Sequence, residues 1–285
     1  MHLDPGPLVV ILVLLAAVLH ATWNALAHAA EDRLVGFALI STSTLVLGIV
    51  LVLVGDPVGR HYFAFAALSA ALHIAYLLLL MASYEVADLS RAYPLSRGTG
   101  VALVALASIV LPRSPLDAEV VIGTTLVVVG LVWITFVGPP LTGRDRVGIA
   151  TAFGTGTAIA GYTIVDGLSV SGGAPVLAYA GWLMLLQSWV VPLYAVAKRG
   201  RALLAVPWRQ VLQGLTGGVV SLLAYGLVLL AQTSGQLAAI AALRELSIAV
   251  GVLLGAFVLH EAVARQRLLP ALVLTAGAIV LALSI

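Results

Sequence analysis

The sequence predicts an all-α integral membrane protein of about ten transmembrane helices, arranged as two inverted five-helix repeats around a central cavity. Three observations lead to this fold class. Hydrophobic residues make up 62% of the 285-residue chain and charged residues only 9%, whereas a soluble domain carries about 25% charged residues. Apolar runs close to the roughly 20 residues that a membrane helix needs recur along the chain. The two halves of the chain also align with each other.

Short stretches that are polar or rich in turn residues separate most of the predicted helices. They include EDR (31–33), GDPVGRH (55–61), GPPLTGRDR (138–146) and KRGR (198–201). Connections this short make consecutive helices neighbours that alternate in direction. The predicted spans are 8–29, 35–54, 62–84, 94–111, 119–138, 147–166, 175–197, 210–231, 237–259 and 268–284.

Basic residues are distributed unevenly between the predicted loops. The odd-numbered loops hold ten of the 14 Lys and Arg residues, and the even-numbered loops hold only Arg60 and Arg113. By the positive-inside rule, the odd-numbered loops face the cytoplasm. Both termini are then expected outside.

The chain matches itself at an offset of about 147 residues. AYLLLLMASYEVADLSRAYPLSRG (75–98) aligns with AYGLVLLAQTSGQLAAIAALRE (224–245) across a two-residue gap. Both segments begin with Ala-Tyr, which pairs Tyr76 with Tyr225. Towards their ends, Arg97 falls on Arg244. The second half of the chain therefore repeats the first.

The same offset places Gly130 on Gly277, and it divides the chain into a first repeat of residues 1–143 and a second repeat of residues 144–285. Because each repeat has five helices, an odd number, the second enters the membrane from the opposite side. Inverted repeats of this kind are typical of secondary transporters, whose binding site lies between the halves near the middle of the membrane.

Arg97 and Arg244 are the leading candidates for substrate recognition. Charged side chains at membrane depth are costly and commonly mark functional sites. Arginine can bind two oxygens of a carboxylate or phosphate at once, so two arginines facing one cavity favour an anionic or zwitterionic solute. The alternative is that each arginine reaches the membrane interface or packs between helices. Glu245 follows Arg244 but points about 100° away on a helix, and it is a candidate for coupling or gating.

The first predicted helix carries polar and aromatic residues at helical spacing in LHATWNALAHAA (19–30). Trp23 and Asn24 are candidates to line the cavity, with Trp23 packing against the substrate. The alternative is that Asn24 forms hydrogen bonds between helices. His20, on the same helix, is a candidate for coupling or gating.

Aromatic and titratable residues elsewhere complete the candidate site. Tyr76, Tyr162 and Tyr225 are predicted to shape the cavity, although packing is the commoner role of such side chains. His73 can titrate near neutral pH and relay a proton, or serve as a core histidine with satisfied hydrogen bonds. Asp166 is a candidate for ion coupling, or for a solvated position near a helix end.

Several function classes lack the motifs they need. The sequence has no cysteine, no HExxH motif and no Walker-type phosphate loop. We therefore expect no cofactor, no metal site and no enzyme activity, and the basic residues indicate orientation rather than nucleic-acid binding. The expected partners are a small-molecule substrate, membrane lipid and, as a candidate coupling ion, the proton. The chain is expected to act as a monomer or homodimer.

Four stretches resemble the ten-helix bacterial members of the drug/metabolite transporter superfamily, which carry two EamA domains. They are HATWN (20–24), DLSRAYPLSRGTG (88–100), GYTIVDGLSV (161–170) and AALRELSIAVGVLLGAFVLHEAV (241–263). The resemblance extends over essentially the whole chain. It implies a basket-like bundle and alternating-access efflux of amino acids, other metabolites or toxic compounds, usually coupled to protons. It also implies cytoplasmic termini, opposite to the indication from the loop charges.

The sequence thus leads us to expect a secondary transporter of the bacterial inner membrane that exports a small anionic or zwitterionic metabolite. A multidrug exporter and a flippase for lipid-linked headgroups are the alternatives. A non-transporting membrane protein or a membrane enzyme is a further alternative.

Overall fold

The computed structural model describes residues 7–87, 89–110, 118–137, 142–234, 237–244, 257 and 264–283. Within these residues the regular structure is entirely helical. Two short 3-10 segments, Gly200–Ala205 and Ala264–Arg267, accompany the α-helices. The α-helices are α1 (Pro7–His28), α2 (Arg33–Val54), α3 (Arg60–Val86), α4 (Leu89–Val110), α5 (Ala118–Phe136), α6 (Gly143–Ser171), α7 (Val176–Gln187), α8 (Val190–Arg199), α9 (Trp208–Gln232), α10 (Leu237–Arg244) and α11 (Leu268–Leu283).

Six helical segments in the described part of the chain are long and apolar enough to cross a membrane: α1, α2, α3, α6, the segment Val176–Ala205 that contains α7, α8 and the following 3-10 turn, and α9. Large apolar side chains such as Leu53 and Leu204 are exposed on the outside of the bundle, as expected where the solvent is lipid. The prediction of an all-α, multi-pass membrane protein is confirmed at this level. The count of ten helices stays a prediction, and most of the ninth predicted span (237–259) lies outside the described residues.

Two helix boundaries differ from the predicted ones. Helix α4 begins at Leu89 and includes Pro94, whereas the predicted span begins at that proline; membrane helices tolerate such a proline because neighbouring groups satisfy the freed carbonyl. Helix α6 continues to Ser171, beyond the predicted end at residue 166. Asp166 therefore lies inside a helix and is buried.

The seventh predicted span is divided in two. Helix α7 ends at Gln187, and α8 begins at Val190. Pro192 provides the physical reason, because a proline ring clashes with the carbonyl four residues earlier, here that of Ser188. The break places Gln187 and Ser188 in the middle of the combined α7–α8 segment.

The helices pack around one centre. Helix α3 packs along α6, α1 along α9, and α2 along both α7 and α9. The main hydrophobic core joins buried side chains from these same helices. At the side of the bundle, α5 and α11 approach so closely that a Cβ atom on Gly130 would lie 2.7 Å from the backbone nitrogen of Leu274. A side chain at Gly130 would therefore force α5 and α11 apart.

Candidate functional site

A small cavity lies at the centre of the bundle, where α1, α2, α3, α6, α7 and α9 meet. His73, the central residue of α3, forms part of its wall. The cavity volume is about 50 Å³, enough for a few water molecules but far below the roughly 300–1,000 Å³ of a small-molecule pocket. The lining residues are His20, Trp23, Ile40, Ser41, Thr44, His73, Tyr76, Leu77, Tyr162, Met184, Gln187, Ser188, Ser221 and Tyr225.

Four aromatic rings from three helices form one wall of the cavity. The imidazole of His73 stacks on the ring of Tyr162, with ring centroids 3.8 Å apart and planes at 22°. Tyr225 approaches the same imidazole edge-on, at 5.3 Å between centroids, and Tyr76 meets Tyr162 edge-on at 5.7 Å. Stacked and edge-to-face pairs of this kind stabilise a packed wall beyond the burial of area alone.

One ring nitrogen of His73 lies close to two oxygens of Ser69, one helical turn earlier on α3. Its Nδ1 atom lies 2.9 Å from the backbone oxygen of Ser69, and a carbonyl oxygen can only accept. The Ser69 hydroxyl oxygen lies 3.2 Å from the same nitrogen, so Nδ1 donates to the carbonyl when it carries the proton and accepts from the hydroxyl when it does not. One side of the ring is thus held by α3 itself, while the rest lines the cavity.

Asp166 lies behind the aromatic wall and connects three helices. Its carboxyl group accepts a hydrogen bond of 2.7 Å from the hydroxyl of Tyr179 on α7 and another from the hydroxyl of Tyr225 on α9. The residue is 1% exposed, and a carboxyl group buried to this extent requires such donors. Because Tyr225 also lines the cavity, the carboxyl group is one side chain away from it.

Arg97 and Arg244 approach this region from α4 and α10. They are only 2% and 3% exposed, so neither extends to the surface. Both guanidinium groups lie within electrostatic range of His20 and Tyr76, two residues of the cavity wall. The structure therefore brings the two predicted arginines to the same neighbourhood, although neither is itself a lining residue.

Polar atoms of the cavity wall are available to a bound molecule. His20 Nδ1, Trp23 Nε1 and Gln187 Oε1 are buried, and none has a hydrogen-bond partner among the described residues. Buried polar groups are normally paired with protein or with water. These three atoms therefore offer both donors and acceptors to water or to a solute.

The structure places the remaining predicted residues elsewhere. Asn24 is buried, donates to the backbone oxygen of His20 at 2.8 Å, and accepts from the hydroxyl of Tyr84 on α3 at 2.9 Å. Its amide thus joins two helices rather than lining the cavity. Glu245 lies outside the described residues.

We did not predict from the sequence that polar side chains of α2 and of the α7–α8 segment line the cavity. Ser41, Thr44, Gln187 and Ser188 all line the cavity, and the hydroxyl oxygens of Thr44 and Ser188 are 2.9 Å apart. A signal was present, because STST (41–44) and QS (187–188) interrupt otherwise apolar spans. Polar residues inside a membrane span commonly face the interior of the bundle.

The fold and the cavity define a helical multi-pass membrane protein with an aromatic and polar centre. In the described part of the chain, no group of three or more His, Cys, Asp or Glu residues is arranged to hold a metal ion. Neither a protein-family model nor a curated protein matches the chain. A crystal structure of a protein with 16% sequence identity is similar, with a TM-score of 0.67 over 98% of this chain and 97% of that chain. At this identity, the similarity shows a shared fold alone.

Proposed function

We propose that the chain is a secondary transporter that exports a small anionic or zwitterionic metabolite, such as an amino-acid-like compound, across the bacterial inner membrane. The central cavity is the observation that carries this proposal. It lies deep in the bundle and presents aromatic faces and polar atoms that have no hydrogen-bond partner among the described residues, and two buried arginines lie close by. The resemblance to the drug/metabolite transporter superfamily supports the same function.

The packing of the helices supports an inverted repeat. With α7 and α8 counted as one span, α1 to α5 correspond in order to α6, α7–α8, α9, α10 and α11. The contact between α3 and α6 then corresponds to that between α9 and α1, and the contact between α4 and α5 to that between α10 and α11. All four contacts are present, which is the pattern expected for two repeats around a common axis.

Close glycine contacts follow the same correspondence. A Cβ atom on Gly130 would meet the backbone nitrogen of Leu274, and one on Gly277 would meet that of Val127, each at 2.7 Å. Leu274 follows Val127 by the same 147 positions that separate the two glycines. The two contacts are therefore equivalent under exchange of the repeats, which supports the repeat at the level of single residues.

Alternating access requires the central cavity to open to each side of the membrane in turn. Two ion pairs lie at the end of the bundle that carries the odd-numbered loops. Arg91 Nη1 of α4 pairs with Asp145 of α6 at 2.9 Å. Arg199 Nε of α8 pairs with Asp32, just before α2, at 2.6 Å. These ion pairs join helices across this end. We expect them to separate when the cavity opens towards the odd-numbered loops.

The proposal is tested first by ligand binding. The purified protein is screened by thermal unfolding with amino acids, phosphonates, sugar phosphates, nucleosides and cationic drugs, because a ligand at about 100 times its Kd stabilises the folded state by roughly 2.7 kcal/mol. We expect stabilisation by one anionic or zwitterionic class, and its loss in Arg97→Gln and Arg244→Gln. Arg209→Gln, which changes an exposed arginine, serves as the matched control and retains the effect.

Flux measurements in proteoliposomes then distinguish transport from binding. The proteoliposomes are loaded with a high concentration of the unlabelled stabilising compound. Entry of the labelled compound from outside, in exchange for the unlabelled compound inside, is then measured. Saturable exchange that both arginine variants reduce about tenfold or more, the range for charged hydrogen bonds, supports the proposal. Arg97→Lys and Arg244→Lys keep the positive charge. Exchange that is retained in a lysine variant and lost in the glutamine variant at the same position assigns the loss to the missing charge rather than to misfolding. Stabilisation by cationic drugs that survives both substitutions would instead indicate a multidrug cavity.

A further inference from the structure

A second, larger recess lies on the outside of the bundle, between α4, α5 and α6. Its volume is about 660 Å³, and its walls are mainly apolar, with Leu103, Val132, Phe136 and Phe153 among the lining residues. It shares no lining residue with the central cavity. We refer to this recess as the α4–α6 groove. Since Val132, Phe136 and Phe153 are also exposed on the bundle surface, the groove opens towards lipid.

The length of the α4–α6 groove matches one leaflet of a bilayer. Along α6 its lining runs from Arg146, in the first turn of the helix, to Thr157. Eleven residues of α-helix rise about 16 Å, which is roughly half of the 30 Å hydrocarbon core. The groove therefore extends from the interface to about the middle of the membrane.

Charge is confined to the end of the groove at the first turn of α6. Arg146 is the only charged residue among the described residues that line it, and its side chain is exposed. The neighbouring carboxylate of Asp145 is occupied, because it pairs with Arg91 and accepts from Thr142. Among the described residues, none pairs with the guanidinium of Arg146. A cation is thus available at the depth of the lipid headgroups.

The inner part of the groove offers little to a polar ligand. The hydroxyls of Thr135 and Thr157 donate to the backbone oxygens of Leu131 and Phe153 in their own helices, at 2.6 and 3.1 Å. These two hydroxyl groups therefore already donate within their own helices. Thr99 also lines the groove, and its buried hydroxyl has no hydrogen-bond partner among the described residues. The rest of the wall is mostly aliphatic and aromatic, which suits a hydrocarbon chain.

We propose that the α4–α6 groove binds one anionic phospholipid, with the phosphate on Arg146 and an acyl chain along the groove to the middle of the membrane. The groove has the length of one leaflet, apolar walls and one cation at its interfacial end. These three properties together match a lipid with an anionic headgroup and one acyl chain in the groove. Basic residues at the mouths of pockets between membrane helices are a general way to hold anionic headgroups. This site is independent of the proposed transport activity.

The proposal is tested by native mass spectrometry of the full chain with equal amounts of phosphatidylglycerol and phosphatidylcholine. The wild-type protein is expected to retain phosphatidylglycerol preferentially. Arg146→Gln should reduce that preference about fivefold, the factor that one basic residue contributes near an anionic headgroup. Arg209→Gln, at the start of α9, removes a comparable exposed arginine away from the groove and should leave the preference unchanged. Equal preference in wild type and Arg146→Gln would overturn the proposal.

Two further measurements separate a lipid from a simple anion. Ala150 lines the groove and is exposed, so Ala150→Phe should fill the space for the acyl chain and reduce retention of both lipids without changing the melting temperature. Glycerol 3-phosphate, which has the anionic group but no chain, should not compete with phosphatidylglycerol. Competition by glycerol 3-phosphate, or unchanged lipid retention in Ala150→Phe, would contradict a lipid site.

Discussion

His73 of α3 stacks on Tyr162 of α6, with ring centroids 3.8 Å apart and planes at 22°. The two residues are far apart in the sequence but share the wall of the central cavity. Helices α3 and α6 pack along much of their length, and this stack lies near the middle of that contact. If the cavity opens, α3 and α6 either move as one unit, which preserves the stack of the two rings, or move apart, which breaks it.

We expect His73→Phe to preserve the stack and His73→Ala to remove it. An aromatic pair contributes about 0.5–1.5 kcal/mol beyond the burial of area, and the alanine variant also leaves an empty space. His73→Ala should therefore unfold at a lower temperature than both the wild type and His73→Phe. Thermal unfolding of the purified proteins in detergent measures the difference. The control is His61→Ala, which changes an exposed histidine of the same helix; an equal effect at both positions would argue against the stack.

The carboxyl group of Asp166 is expected to act as one unit with its two tyrosine donors. Tyr179→Phe and Tyr225→Phe each remove one hydrogen bond to it, at about 1–3 kcal/mol in the free energy of unfolding. The variant Asp166→Asn combined with Tyr179→Phe should lose less than the sum of the single losses, because both changes break the same contact.

A chemical unfolding series on the single and double variants tests this coupling. Tyr194→Phe is the control, because Tyr194 is exposed on α8 and should tolerate loss of its hydroxyl. Strictly additive losses for Asp166→Asn and Tyr179→Phe would show that the carboxyl group and the phenol stabilise the fold separately.

Gly130→Ala and Gly277→Ala are expected to destabilise the protein to a similar extent. In each case, the new Cβ atom would lie 2.7 Å from a backbone nitrogen of the facing helix, so α5 and α11 would have to move apart. Overpacking of this kind costs about 1–3 kcal/mol. Gly226→Ala is the control, because its added Cβ would meet no atom within 4 Å apart from its own stretch of helix. Melting temperatures measure the three effects, and unequal losses at the paired glycines would count against their equivalence.

Asp32 has two roles at the start of α2 that substitutions can separate. Its carboxylate accepts from the backbone nitrogen of Val35 at 3.2 Å, which caps the helix, and pairs with Arg199. Asparagine caps a helix about as well as aspartate, whereas alanine does not. Asp32→Ala should therefore be about 1 kcal/mol less stable than Asp32→Asn, as measured by thermal unfolding at neutral pH.

The ion pair of Asp32 should have a pH dependence of its own. The hydrogen bond from Arg199 holds the pKa of Asp32 below its ordinary value. A carboxyl group with a lowered pKa stabilises the folded state above its unfolded value of about 3.9 and loses this contribution as the pH falls through the folded value. The difference in melting temperature between wild type and Asp32→Asn should therefore stay constant from about pH 5 to 8 and shrink towards pH 3. A difference that grows on acidification would contradict this assignment.

Several features followed from the sequence because they depend on composition and on local spacing. A chain with 9% charged residues cannot cover its surface with polar groups, which makes it a membrane protein. The lengths of the apolar runs predict where most helices lie. His20, Trp23 and Tyr76 are unusual residues in an apolar span, which made them candidates from the sequence; the structure places all three in the wall of the cavity, while their roles stay a prediction.

Only the tertiary structure decided which side chains meet, because contacts between distant helices leave no local pattern in a chain. Sequence spacing could not show that Asn24 is engaged with Tyr84, or that Gln187 lines the cavity. It also could not show that α6 continues past Asp166, since a helix end in a membrane protein depends on what packs against it. Hydrophobicity thus determines that helices form and span the membrane, while packing determines which of their faces enclose the site.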